Sequence, residues 1–396
     1  MNSRVLLAVV AALAGLVAVG VAIAALAGGG AGGDADRPAF ALDLDSCSNL
    51  GGDSARACYT RVFTAAVRGR EDPRPAVAAI ADQAWKQGAG LLGDCHGIMH
   101  TVGRTYARER GVNLSTLMEY LPSSDDPGCS AGFAHGMVTA IAPAIDADRP
   151  GEAARVCGSA RTRYQRYSCI HGFGHAFSRV YGAGLEPALD LCRALGPQAA
   201  PDCAQGAYHD YWFAVEGVDD APAPDEPRTD PRELCATQPR EFVRACWYRG
   251  LIERRPEGFV LETAADLDGL CAGLTGLQRS GCIAGAAVIG PPDPAAQLAV
   301  CAQLQAVSDA AACVRGTKVQ NLLGREDADF VGLVEHCAKL AAGARGACRR
   351  WLGRVLAVVT DGAFARTGCP RMSGAAARRQ CAAGAARIDD ALETFS

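Results

Sequence analysis

Six of the seven histidines lie between residues 96 and 209, and their spacing is ordered. HGIMH at 96–100 and HGFGH at 171–175 each place two imidazoles four residues apart, and a third follows each pair, His135 after the first and His209 after the second. From His96 to His171, His100 to His175 and His135 to His209 the offsets are 75, 75 and 74 residues, as a duplicated unit would give. On a helix, residues i and i+4 project from one face about 6 Å apart, close enough for two imidazoles to hold one ion. A third histidine from a neighbouring helix completes a three-nitrogen site with one position left open for water, oxygen or substrate. His96, His100 and His135 are therefore expected to hold one metal, and His171, His175 and His209 another. The competing reading is a ladder of histidines hydrogen-bonded between stacked helices.

This layout resembles that of the type-3 copper proteins, the haemocyanins and phenol oxidases, in which each copper takes three histidines from a four-helix core. The resemblance covers six positions in about 115 residues and implies a copper pair. By donor type alone, imidazoles suit copper and zinc, iron if a carboxylate joins, and two HxxxH pairs would also serve as axial haem ligands. The nearest acids, Asp94, Glu109 and Asp210, show no repeat-equivalent partner, which argues against a symmetric carboxylate-bridged di-iron site. Tyr106, Tyr208, Tyr211 and Trp212 are candidates to line a pocket, and Met99 and Met137 are either soft auxiliary ligands or packing. His336 stands outside the pattern.

The elements that must position these residues are written in the 18 cysteines. Sixteen form couples eleven or twelve residues apart: Cys47 and Cys58, Cys157 and Cys169, Cys192 and Cys203, Cys235 and Cys246, Cys271 and Cys282, Cys301 and Cys313, Cys337 and Cys348, Cys369 and Cys381. Around Cys192 the apolar spacing is helical, GPQAAP breaks it, and a second helical segment follows with Asp202 as its expected N-cap. Each couple thus reads as a disulfide clamping a helical hairpin in an oxidising compartment. Cys95 and Cys129 have no such partner, and pair with each other or stay as thiolate ligands. The second cysteines recur every 31 to 43 residues, with a glycine three positions later at Gly132, Gly172, Gly206, Gly285, Gly316 and Gly384. The expected fold is all-α: about ten disulfide-clamped hairpins in an α-solenoid or curled array, with the glycines at close helix contacts.

Domain organisation follows composition. Residues 1–28 carry an apolar run over 5–27, a signal anchor or a cleaved signal peptide, and residues 29–45 a linker. The histidine-bearing repeats span 46–216, an acidic proline-rich connector 217–232, and a cysteine-hairpin scaffold 233–396. A net charge of −4 without basic stripes excludes a nucleic-acid partner. No Walker loop, GxSxG elbow, HExxH or dinucleotide fingerprint occurs. The expected function is that of an exported, membrane-tethered or secreted metalloprotein that binds one or two transition metals, copper favoured, and oxidises a small molecule or envelope component with O2. The alternative is a non-catalytic solenoid for metal storage or for binding another envelope protein.

Overall fold

The computed structural model describes Leu42 and residues 44–122, 128–145, 149–180, 184–213, 230–322 and 328–394, all within one compact unit, Leu42–Ser396. The apolar run at 5–27 lies outside the described residues. So does the connector at 217–232, save for its last three positions, where Asp230 caps a short helix that Pro231 opens. Among the described residues every regular element is helical, and no helix is long and apolar enough to cross a membrane.

Ten helices carry the second cysteine of each repeat: α1 (Gly52–Val67), α2 (Ala89–Arg110), α3 (Cys129–Ile141), α4 (Arg163–Val180), α5 (Ala200–Phe213), α6 (Val243–Glu253), α7 (Gly276–Val288), α8 (Val307–Arg315), α9 (Ala342–Val359) and α10 (Ala375–Ala385). Each packs on the next along the chain, and α9 also reaches back to α4. Shorter helical segments precede most of them, and all eight expected couples are disulfides that tie segment to helix. Cys95 and Cys129 are also bonded to each other, so they are not thiolate ligands, and their bridge joins α2 directly to α3.

The recurring glycines lie where neighbouring helix backbones touch. A Cβ on Gly132 would sit 2.1 Å from the carbonyl oxygen of His96, and one on Gly206 would sit 2.0 Å from that of His171, so no larger residue fits either crossing. These are equivalent points of the two copies, α3 on α2 and α5 on α4. The sequence CSAGFAHGMV makes α3 apolar or small on every side, and it is accordingly buried all round between α2 and α4. α2 stops at Gly111, whose left-handed conformation (φ 70°) lets its N–H reach the Ala107 and Arg108 carbonyls. Phe133, Phe173, Phe177, Ile98 and Met99 fill the core between these helices, with Met137 buried beside them.

Asp202 is not the N-cap expected. It lies inside the first turn of α5, and its buried carboxylate accepts from the backbone N–H groups of Leu392 (2.7 Å) and Glu393 (2.9 Å). Arg163 pairs with Asp389 alongside, so the segment after α10 is strapped onto α4 and α5.

Candidate metal centre

α2 presents His96 and His100, α3 His135, α4 His171 and His175, and α5 His209, all toward one another. Ring centroids of contacting pairs lie 4.7 to 6.4 Å apart. Five of the rings belong to buried residues, with His171 and His175 only 1% exposed, and His96 is half-buried. The straight-stack alternative, which would separate these rings by roughly 10 Å per repeat, is not what the chain adopts. His336 stays apart, its Nδ1 donating to the Gly332 carbonyl one turn back.

Donor nitrogens fall into two overlapping groups. His96, His100, His135 and His175 form one and His171, His175 and His209 the other, and within each group the donors lie within 4.8 Å of one another. The two expected trios are both present, with His175 placed to serve either. His96 Nδ1 lies 3.2 Å from the Gly128 carbonyl, which can only accept, so Nδ1 carries the proton and Nε2 the lone pair. That Nε2 faces His100 Nε2 at 3.2 Å. Two nitrogens bound tetrahedrally at about 2.0 Å to one ion would be about 3.3 Å apart, so the pair already has the spacing of adjacent ligands. His135 and His171 have both ring nitrogens buried with no hydrogen-bond partner among the described residues. A buried imidazole normally uses at least one nitrogen in a hydrogen bond, and a metal ion is a partner that the single lone pair of each neutral ring could fit.

The electrostatics keep four of these rings neutral. Burial lowers the pKa of His96 to about 4, with the charge of Arg249 adding to the effect and the Gly128 hydrogen bond opposing it. Burial likewise holds His135, His171 and His209 well below the usual imidazole range, and neighbouring imidazoles and Arg249 push further in the same direction. A metal arriving at neutral pH would displace few protons from them.

Among the described residues, two carboxylates approach ring nitrogens of the centre. Asp210 Oδ1 lies 3.7 Å from His175 Nδ1, and Glu253 Oε1 lies 3.7 Å from His209 Nε2 and 3.6 Å from an Arg249 amine. Arg249 and Glu253 sit one turn apart on α6, in the stretch read from sequence as scaffold. Asp210 has no acid counterpart in the first histidine set, where Gly136 stands at the equivalent position, but Glu253 lies seven residues after Cys246 as Asp210 does after Cys203. Counting from the second cysteine of each couple, Cys203 and then Cys246, would have found the pair. Tyr167, one turn before His171 on α4 and 5.7 Å from its ring, is a second neighbour that sequence reading missed.

The other nominated residues go elsewhere. Asp94 is exposed, and Glu109 forms an exposed ion pair with Arg68. Tyr106 donates to the Arg70 carbonyl and Tyr208 to Gln238 Oε1, and Trp212 stacks on Tyr208. The chain matches no protein-family model, no curated protein and no solved structure.

Proposed function

We propose that this protein is an exported metalloprotein that holds two transition-metal ions in the six-histidine centre, with copper the favoured metal, and that it oxidises a small molecule with O2. The observation that carries the reading is the pair of buried imidazoles, His135 and His171, both held neutral by burial and with all four ring nitrogens unpartnered among the described residues. Copper is favoured because nitrogen donors predominate and the two histidine trios resemble the layout of the type-3 copper proteins. A bound copper pair would supply two one-electron couples, together the two electrons that pass from the substrate to O2. The chain's own contribution is positional. The α2–α3 and α4–α5 crossings fix the imidazoles, the core residues exclude bulk water, and Glu253 and Asp210 supply negative charge beside His209 and His175.

Nine disulfides among the described residues suit an oxidising, extracellular compartment. In this reading residues 5–27 tether or export the chain. The succession of cysteine-bearing helices is a continuous repeat array, and its second half is a scaffold able to receive an envelope partner.

A second reading, storage of metal without turnover, is favoured by the depth of the rings: His171 and His175 are 1% and His135 3% exposed, which leaves little surface for an organic substrate to touch. Loading the metal-free protein with cuprous ion under nitrogen and then admitting air separates the two. A new near-ultraviolet absorption with oxygen uptake supports oxidation. Retained copper without uptake supports storage. No retained copper overturns both as stated.

A further inference from the structure

A centre enclosed for cations gains nothing from a positive side chain, yet Arg249 stands beside it. α6 packs on α5 and carries Arg249 into the interior, where the residue is 5% exposed. Glu253 Oε1 links it to the histidines, 3.6 Å from an Arg249 amine and 3.7 Å from His209 Nε2. The guanidinium charge reaches members of both trios, His96 and His135 as well as His171 and His209, and acts on each of them against protonation. By the same repulsion it acts against an arriving metal ion. Withdrawing such a charge from water is costly unless it is closely paired and its donors are satisfied. Here the ion pair is longer than a hydrogen bond, and the buried Nε donor has no hydrogen-bond partner among the described residues. Arg249 therefore opposes the metal while leaving a donor of its own unused next to it, an arrangement suited to a negatively charged guest.

We propose that Arg249 anchors a small carboxylate, no larger than formate or acetate, in the six-histidine centre together with the metal. The planar guanidinium fork matches a carboxylate in shape and charge. A neutral imidazole carries one N–H donor besides its lone pair, so the rings can add hydrogen bonds to the anion while facing the metal. The size limit follows from burial: His171 and His175 are 1% and His135 3% exposed, and a larger guest would have to part the helices. The inference rests on the metal reading and deepens it by giving the ligand class of the same site.

The test uses the full-length protein loaded with zinc, which is redox-silent, and azide as a spectroscopic stand-in for the carboxylate. In the wild type the infrared stretch of azide should shift saturably on binding, and formate should displace it. Arg249→Gln should bind azide weaker by on the order of 10–100-fold, the usual loss for a charge-assisted hydrogen bond. In buffer free of small anions the same variant should hold zinc at least as tightly as the wild type, because a repelling charge has gone; a residue that merely braced the helices would weaken zinc when removed. Should circular dichroism show that Arg249→Gln has lost helix, Arg249→Lys replaces it, with a smaller loss of azide affinity and unchanged zinc binding. Equal azide affinity in variant and wild type, azide that formate cannot displace, or zinc weakened by the substitution would overturn the anion site and leave the metal reading standing. Absence of zinc binding by the wild-type chain would overturn the metal reading and the anion site together.

Discussion

The imidazoles of His135 and His171 stack face to face at 4.7 Å with their planes 22° apart, and His96 and His209 repeat the arrangement at 5.7 Å and 21°. The offsets of 74 and 75 residues that relate the two histidine sets map one stacked pair onto the other. Removing one ring from a stacked pair should damage both metal positions. His171→Ala is expected to lower bound metal by half or more, as read by elemental analysis of the purified variant, while the helix content holds.

Glycine contacts bring the two halves this close. Gly206→Ala would drive a methyl group into the His171 carbonyl, and relief requires α4 and α5 to separate. Overpacking of this kind costs about 1–3 kcal/mol, and denaturant unfolding should place this variant at the upper end of that range. Metal affinity should fall with it, because His171 and His209 move apart together.

The Cys95–Cys129 bridge closes a loop of 34 residues next to His96. Replacing both cysteines with alanine should cost roughly 3–4 kcal/mol on the chain-entropy account. The loss should be visible as a lowered unfolding midpoint, accompanied by weakened metal binding at the His96, His100 and His135 position.

For the metal-free protein, acid should destabilise. The folded pKa of His96 is lowered to about 4 from 6.5, so its contribution is fully present above pH 6.5 and is lost as the pH falls through about 4. His135, His171 and His209 shift in the same direction and add to the slope. Asp202 works against them. Burial raises its pKa to about 7 from 3.8, so its contribution is present below pH 3.8 and is lost as the pH rises through about 7. Burial raises the pKa of Glu253 as well, in the same sense as Asp202; with at least four groups opposing these two, thermal midpoints measured between pH 4 and 8 should rise with pH up to about 6.5. In Asp202→Asn its opposing component should disappear, steepening that rise.

The hairpins and their clamps were legible because they depend on local chain. Cysteines eleven or twelve apart across a breaker can meet without reference to the rest of the molecule, and HxxxH needs only a helix. The convergence of the six rings was not legible, because it depends on the angle at each crossing, and Gly132 and Gly206 reveal a close contact without its direction. Asp202 is the plainest misreading: its position after a turn suits an N-cap, but its partners, Leu392 and Glu393, lie 190 and 191 residues away. Arg249 and Glu253 escaped notice because they carry no histidine nearby in sequence, and only the packing of α6 on α5 brings them to the centre.

Everything functional rests on metal occupying the centre, and the most direct measurement is the metal content of the full-length protein produced in copper- and zinc-supplemented medium and purified without chelators. The account predicts about two equivalents per chain, falling to nearly none when His135 and His171 are both replaced by alanine. A wild-type protein that emerges with no metal, or with as much metal as the double variant, would contradict it.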